Sequence, residues 1–366
     1  MLKKVFGILV MVAFIYACSS SDDDDAKSDN FDRGVMLTHL ADNIIIPAHQ
    51  DFVIQMLALK NAGEIFTTTP NQTNLDALRA SWYSAYKNYQ HIEMYNIGKS
   101  EEIQYRFFMN VYPLTTSDVE ANISSGSYDL DSANNHDAQG FPALDYLLYG
   151  VANSDAEILA KYTSSTNNDN YKKYITDVLN QMTTKTQEVV LDWSSYRNEF
   201  VSSTSNTATS AVNKLTNDYI FYYEKVLRAN KLGIPAGIFS DTEFPEKVEA
   251  FYRKDISKEL ALESLNTIID FFNGKNYSSS DQGSSFSDYL SSLERNELSQ
   301  SILNQFNSAK TQINTLNNNF YEQVNTNNTE MLKAYDELQK AVVLLKVDML
   351  QAFSINIDYV DGDGDG

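Results

Sequence analysis

Apolar residues recur every three or four positions along most of the chain, the spacing that places side chains on one face of an α-helix. One such stripe consists of Leu75, Leu78, Trp82, Tyr86, Tyr89 and Glu93. Two others consist of Leu179, Met182, Thr186, Val189 and Trp193, and of Leu332, Tyr335, Leu338, Val342 and Leu345. Alternating apolar and polar runs are rare, and no Asn-Gly or Asp-Gly turn joins two of them. The pattern predicts an all-α fold.

The helices predicted from this periodicity are 31–62, 74–96, 116–123, 141–150, 169–193, 209–231, 245–253, 257–273, 283–293, 295–324 and 329–355. Pro47 is expected to kink the first of them. Polar connections rich in Ser, Thr, Asn and Asp separate the helices, and long helices joined in this way form bundles. The tetrapeptides Gly140–Ala143 and Gly233–Ala236 are alike and suggest a duplication. We therefore expect two helical-bundle halves, at 31–205 and at 206–366, the second with an acidic C-terminal tail.

The N-terminal segment has the composition of an export signal. Lys3 and Lys4 precede an apolar stretch from Val5 to Tyr16, and Ala17 stands directly before Cys18. This pattern predicts a signal peptide over 1–17 and a lipid-modified Cys18, followed by a flexible acidic tether over 18–30. An ordinary secretory signal or an anchor helix is the alternative. The Ser and Asp residues after Cys18 resemble the surface-export tag of Bacteroidetes lipoproteins, so we expect a lipid anchor at the outer membrane or cell surface.

Charge and cysteine content narrow the function. Removal of residues 1–17 takes Lys3 and Lys4 but no acid, so the formal charge changes from −21 to −23. Such an acidic domain repels nucleic acid and anionic headgroups, and neither is an expected partner. An acidic surface is also a common means of staying soluble. Because Cys18 is the only cysteine and is expected to carry the lipid, no thiol remains for a disulfide, a redox pair or a nucleophile.

The histidines show no ligand spacing. The chain has His39, His49, His91 and His136, and no H-E-x-x-H sequence occurs. His39 and His49 point roughly 80° apart on a helix, and His91 is two residues from the nearest acid, Glu93. A surface or hydrogen-bonded core role is expected for each histidine. The sequence also lacks the glycine-rich motifs of nucleotide-binding proteins and the G-x-S-x-G of serine hydrolases.

Two other kinds of side chain, carboxylates and tyrosines, are candidates for a functional site. Asp145 lies inside the apolar stretch Phe141–Tyr149, where a carboxylate must be hydrogen-bonded, paired, metal-bound or protonated. A structural hydrogen bond and a functional role are both consistent with this position. Glu243, Glu246 and Glu249 recur every three residues, as at a solvated helix start or along one helix face. The 23 tyrosines form helix-spaced stripes typical of a core, although tyrosine-rich clefts also bind sugars and tyrosine can ligate iron.

Several segments together resemble the imelysin-like proteins. They are Trp82–Gly98, Val111–Leu114, Gly140–Gly150, Lys231–Gly237, Pro245–Tyr252 and Tyr359–Asp365. The resemblance implies two four-helix-bundle-like halves related by duplication, with a site at their junction. The family signature, G-x-H-x-x-E, aligns with Gly140, Pro142 and Asp145, so the histidine position holds proline and the glutamate position holds aspartate.

The resemblance implies three alternative functions. The first is a non-catalytic, surface-anchored binding component of iron or haem acquisition. Its expected site residues are Asp145, Tyr112, Gly140, Pro142, Tyr146 and Pro235, with Asp145 as the one candidate metal ligand. The second is an imelysin-type metallopeptidase that uses carboxylates and a distant histidine such as His91. The third is a partner-docking lipoprotein of an outer-membrane uptake complex, next to an iron or haem receptor.

Overall fold

Helices account for the regular structure throughout the described range, residues 30–359 of a computed structural model. Within that range no β-strand forms, apart from one isolated bridge between Lys275 and Gln282. The all-α prediction is confirmed. The predicted signal peptide, Cys18 and the acidic residues after Tyr359 lie outside the described residues. None of the described helices combines the length and the apolar composition needed to cross a bilayer.

The α-helices begin and end at defined residues, often at a polar cap. In chain order they are α1 (Arg33–Leu40), α2 (Ile46–Thr68), α3 (Gln72–Tyr89), α4 (Lys99–Glu102), α5 (Arg106–Met109), α6 (Thr116–Ser125), α7 (Gly140–Asp145), α8 (Asp155–Thr163), α9 (Asn168–Ser202), α10 (Ala211–Phe221), α11 (Ser257–Phe272), α12 (Phe286–Ser292), α13 (Asn296–Thr315), α14 (Phe320–Val343) and α15 (Leu350–Phe353). Asn71 caps α3 by accepting the Asn74 N–H, and Ser154 caps α8 by accepting the Glu157 N–H.

Wider π-helical turns continue some of these helices. They are Ala41–Ile45, Tyr146–Gly150, Tyr222–Gly233 and Leu344–Met349, and short 3₁₀ turns occupy Ala133–Ala138 and Pro245–Lys247. The extra residue of a π-turn rotates the side chains that follow it around the helix axis. Such turns often occur near functional sites. The segment Tyr222–Gly233 is the longest of the π-helices in the described range, and it borders the candidate site.

Two groups of helices bury the apolar stripes. In the first, α2 packs against α3 and α9; in the second, α14 packs against α13 and the π-helix 222–233, while α11 packs against α13. The stripe of α3 from Leu75 to Tyr89 is almost fully buried, as is the stripe of α9 from Leu179 to Trp193. All of these helices belong to one compact unit from Asp32 onward.

The predicted helix over 245–253 is wrong. A 3₁₀ turn covers Pro245–Lys247, and the chain then runs as a loop to Ser257, with Ala250 and Lys254 at positive φ of 56° and 65°. The helix is interrupted because the backbone N–H groups of Tyr252 and Arg253 donate to the Asp145 carboxylate. The three glutamates at 243, 246 and 249 therefore share no helix face.

The prediction of one helix over 295–324 is also wrong. Helix α13 ends at Thr315, and α14 begins at Phe320 after a short polar connection. Asn319 caps the new helix because its side chain accepts the Glu322 N–H. The apolar pattern of the two helices is continuous across this break, which is why periodicity alone does not detect it. Pro47 lies in the first turn of α2, directly after the π-helical turn 41–45.

Candidate functional site

Asp145 ends α7 and is 2% exposed. Its Oδ2 accepts the Tyr252 N–H at 2.8 Å, and its Oδ1 accepts the Arg253 N–H at 2.9 Å. Burial raises the pKa of Asp145 to about 7, although these two hydrogen bonds and the Arg253 charge oppose the rise. Both oxygens are therefore engaged with backbone, and the side chain fastens the loop 248–256 to α7.

Three of the residues predicted for the site line one cavity. Tyr112, Pro142 and Asp145 surround a space of about 160 Å³ together with the loop segment 248–252. Pro142 lies in the first turn of α7, where a missing backbone N–H is tolerated. The side chain at this motif position is a buried pyrrolidine ring, which offers no ligand atom to a metal.

Gly140 supports this arrangement through its backbone. It opens α7 at φ +73°, a conformation that glycine adopts at no steric cost. A Cβ at this position would lie 2.3 Å from the Met109 carbonyl oxygen, so the chain around α5 could not approach as closely. The glycine of the motif is thus required by close backbone packing.

The other two predicted residues lie apart from this cavity. The Tyr146 hydroxyl donates to Glu120 Oε1 at 2.6 Å, and its ring lies 5.1 Å from the Tyr252 ring. Pro235 is buried, and its carbonyl accepts the Phe244 N–H at 2.9 Å. Neither residue lines the Asp145 cavity or the larger cavity described next.

A second cavity, which we call the junction cavity, has a volume of about 240 Å³. It lies between the segment 93–112 and the helical stretch formed by α10 and the π-helix 222–233. Its lining residues are Glu93, Met94, Asn96, Arg106, Phe107, Asn110, Val111, Tyr112, Asp218, Phe221, Tyr222, Val226 and Asn230. Tyr112 lines both cavities, and its buried hydroxyl has no hydrogen-bond partner.

A network of buried polar side chains borders the junction cavity. We call Glu93, Asn110, Lys231 and Glu249 the junction network. The Lys231 ammonium, on a side chain 1% exposed, lies 2.5 Å from Glu249 Oε2 and 3.9 Å from Glu93 Oε2. The Asn110 amide donates to Glu93 Oε1 at 2.8 Å and to Glu249 Oε1 at 2.9 Å. The network therefore joins two carboxylates through one cation and one amide.

Neighbouring hydroxyl and amide groups complete the network. The Tyr86 hydroxyl lies 3.0 Å from Glu249 Oε1, and the Tyr222 hydroxyl lies 3.3 Å from Glu93 Oε2. Gln90 Oε1 accepts from Lys231 at 2.9 Å and from the Ser264 hydroxyl at 2.8 Å. With this many partners the buried charges are compensated, as a low-dielectric site requires.

Two carboxyl groups of the junction cavity hold protons more tightly than usual. Burial raises the pKa of Glu93 to about 7, while Lys231 lowers it. Burial also raises the pKa of Asp218, whose Oδ2 accepts the Asn96 N–H at 2.9 Å. A carboxyl group that titrates near neutral pH, as Glu93 does, can exchange a proton under physiological conditions.

The histidines do not converge on either cavity. His49 is buried, bonds the Ile45 carbonyl at 2.8 Å and has its pKa lowered to about 4 by burial. His91 pairs with Glu263 at 2.9 Å, His39 contacts the Gly274 carbonyl, and His136 stacks on Phe107. Among residues 30–359, no three His, Cys, Asp or Glu side chains meet closely enough to hold a metal ion by themselves.

The sequence prediction missed most of the junction network. Glu93 ends the apolar stripe of the predicted helix 74–96, beyond the end of α3, and a charged residue in such a stripe is itself a signal. Lys231 offered a similar signal within the apolar pattern of 209–231. Glu249 was considered only within the series Glu243, Glu246 and Glu249, and its burial has no local signal because it depends on the loop that Asp145 fixes.

Comparison with known proteins places the chain in a family. A family model described as Imelysin, and named as a peptidase family, matches residues 45–347. An imelysin-like protein from Psychrobacter arcticum 273-4 superposes with a TM-score of 0.71 at 17% identity, covering 89% of this chain and 97% of its own. A protein from Parabacteroides distasonis ATCC 8503, provisionally named iron-regulated protein A precursor, superposes with a TM-score of 0.73 at 16% identity, covering 90% and 97%.

At these identities the two structures establish a shared fold. No curated protein matches the chain. The family model covers well over half of the sequence and includes α7, the junction network and both cavities. The chain therefore belongs to the imelysin family.

Proposed function

We propose that this protein is a surface-anchored, non-catalytic lipoprotein that binds iron, as an ion or as haem, for an uptake system. The junction cavity is the binding site in this proposal. The supporting observation is the Tyr112 hydroxyl, which is buried without a partner between Glu93 and the Asp145 cavity. A buried polar group without a partner is unfavourable, and a ligand that bonds to it removes that cost.

The chemistry of the lining supports a hard cation. Glu93 and Asp218 supply carboxyl oxygens, from which a cation would displace the proton, while Asn110 supplies an amide and Tyr112 a phenol. Oxygen ligands suit hard cations, and a tyrosine oxygen can also ligate haem iron. Because no three acidic or histidine side chains converge in the described range, an iron ion would keep other ligands, such as water or a chelator.

The size of the cavity bears on the form of the iron. Its volume of about 240 Å³ is below the roughly 300–1,000 Å³ typical of enclosed small-molecule sites. A hydrated ion or small chelate would fit inside, whereas haem would be held at an edge with part of the ring outside. The provisional name of the Parabacteroides distasonis neighbour, which refers to iron regulation, agrees with an iron-related role.

The geometry at Asp145 favours a non-catalytic role. Pro142 occupies the histidine position of the family signature, and its side chain has no atom that can bind a metal. Both Asp145 oxygens accept backbone N–H groups, so this carboxylate is engaged in holding the loop 248–256. The anchor in the proposal is the lipid on Cys18, with a receptor of the outer membrane as the partner that receives the iron.

A titration of residues 19–366, which include the whole compact unit, tests the proposal. Ferrous iron, ferric iron and haem are added separately while tyrosine and tryptophan fluorescence is followed. We expect saturable quenching with at least one ligand, weakened about tenfold or more by Tyr112→Phe and by Glu93→Gln, since each removes one ligand atom. Tyr95→Phe removes a buried phenol outside this cavity and is the matched control, with unchanged affinity.

Two results would contradict the proposal. Absence of quenching with all three ligands would remove iron binding and leave partner docking as the function. Cleavage of a peptide that stops on adding a chelator, and is lost in Asp145→Ala, would establish the metallopeptidase alternative instead.

A further inference from the structure

A third cavity, which we call the α11 cavity, lies on another part of the molecule. It has a volume of about 280 Å³ and is bounded by the start of α2, the turn after α3, helix α11 and the loop that follows α11. It shares no lining residue with the junction cavity. A ligand in this cavity would therefore be separate from the proposed iron site.

The α11 cavity contains an unpaired buried hydroxyl. Tyr95 is 2% exposed, lines the cavity and has no hydrogen-bond partner for its hydroxyl. Its ring is fixed, with the His49 ring and the Phe271 ring each 5.8 Å away. The Asn276 side-chain oxygen, also in the lining, is likewise buried without a partner. Two buried polar atoms in the lining of one cavity thus have no hydrogen-bond partner, which is rare in folded proteins.

The ionisable groups around this cavity are already paired. The Lys275 ammonium lies 2.8 Å from Asp270 Oδ2. The His91 ring lies 2.9 Å from Glu263 Oε1 on one side and 3.0 Å from the Thr267 hydroxyl on the other. Since the unpaired atoms are a phenol and an amide oxygen, both neutral, a charged ligand would find no free counter-charge. The lining therefore selects a neutral molecule that donates and accepts hydrogen bonds.

The remaining walls provide flat and apolar surface. Phe271, Ile44 and Ala48 contribute apolar surface to the lining, and Tyr277 adds an aromatic ring. The Tyr277 hydroxyl donates to Asp51 Oδ2 at 2.5 Å and accepts from the Asn88 amide at 2.9 Å. The backbone N–H of Tyr277 donates to the Asn43 carbonyl at 2.9 Å. The wall is thus fixed before any ligand binds, which lowers the entropic cost of binding.

We propose that the α11 cavity binds a neutral, hydroxyl-bearing molecule of the size of a monosaccharide. Its hydroxyl groups would bond with the Tyr95 hydroxyl and the Asn276 oxygen, and its C–H face would pack on the aromatic and aliphatic wall. The combination of ring surface with neutral hydrogen-bonding groups is the chemistry that recognises sugars and cyclic polyols.

Saturation-transfer NMR on residues 19–366 tests this with D-glucose, D-galactose, N-acetyl-D-glucosamine and myo-inositol as probes. We expect saturable binding of at least one probe. Tyr95→Phe should weaken it by about tenfold, because only the unpaired hydroxyl is lost. Ala48→Leu should abolish it by filling the cavity. Tyr112→Phe, which removes the other unpaired hydroxyl, is the matched control and should leave the affinity unchanged.

Failure of all four probes to bind would overturn the proposal. So would binding that persists at wild-type affinity in Tyr95→Phe, or in an Ala48→Leu protein whose circular dichroism shows a folded chain. Because the iron titration uses Tyr112→Phe as its loss variant and Tyr95→Phe as its control, the two proposals fail independently.

Discussion

Asp145 and Glu93 are both buried carboxyl groups with a pKa raised to about 7, yet they have different roles. Asp145 accepts two backbone N–H groups and lines the smaller cavity of about 160 Å³. Glu93 contacts side chains, Asn110 and Tyr222, and lines the larger junction cavity. A shifted pKa reports burial in both cases. The partners of the two carboxyl groups differ, since Asp145 holds backbone N–H groups whereas Glu93 belongs to a side-chain network at a cavity wall.

Removal of the Lys231 cation from the junction network should change the free energy of unfolding more than the other substitutions considered below. Lys231→Met leaves Glu249 and Glu93 buried without their cation. We expect the free energy of unfolding to fall by about 4 kcal/mol, because breaking a buried ion pair leaves an uncompensated charge. Urea denaturation at pH 7.5 measures the change.

Lys333→Met is the matched control, since Lys333 forms an exposed pair with Glu330 and its removal should leave the midpoint of urea denaturation close to that of the wild type. Adding Glu249→Gln to Lys231→Met should restore part of the loss. Equal effects of the two lysine substitutions would show that the junction network does not depend on its cation.

Asp145→Ala tests the structural side of the comparison. It removes the acceptors of the Tyr252 and Arg253 N–H groups, so we expect the free energy of unfolding to fall by about 3 kcal/mol. Asp155→Ala is the control, because its ion pair with Arg79 is half-exposed and worth about 1 kcal/mol or less. A midpoint of urea denaturation equal to that of the wild type would contradict the fastening role of Asp145.

The smallest of the three effects depends on pH. The folded-state pKa of Glu93 is about 7, above its ordinary 4.5, so the folded protein binds more protons than the unfolded chain between these values. Its contribution to stability is present below pH 4.5 and is lost as the pH rises to 7. Glu93→Gln removes this titration. The free energy of unfolding of the variant minus that of the wild type should therefore increase by about 2 kcal/mol between pH 5.5 and pH 7.5.

Urea denaturation of both proteins at pH 5.5, 6.5 and 7.5 measures the difference. The lowered pKa of His49, about 4, makes the free energy of unfolding rise with pH. This contribution is the same in both proteins and cancels in the difference between them. A stability difference that is constant across this range would show that Glu93 titrates normally.

The sequence predicted the helical class because the buried stripes of α3 and α9 follow the helical period over many turns. It did not predict the loop 248–256, because the competing hydrogen bonds come from Asp145, about 107 residues earlier in the chain. No local pattern reports a contact over that separation. The apolar stretch around Asp145 marked this carboxylate as needing partners, whereas the burial of Glu249 depends on the loop and has no local signal.

Tyr112 and Pro142 were selected through the family resemblance, and the fold does bring them beside Asp145. The junction cavity is different, since Asp218 and Arg106 have no motif that marks them. Their proximity follows from how α5 and α10 pack, which the sequence expresses only through the whole set of apolar contacts.

The junction network also limits how the chain can be recombined. Glu93 and Asn110 come from before residue 205, whereas Lys231 and Glu249 come from after it. A chimera that joins the N-terminal portion of this protein to the C-terminal portion of a distant relative would separate Glu93 and Asn110 from the Lys231 and Glu249 they contact. Exchange of such portions in protein engineering therefore requires that these four side chains be transferred as one set.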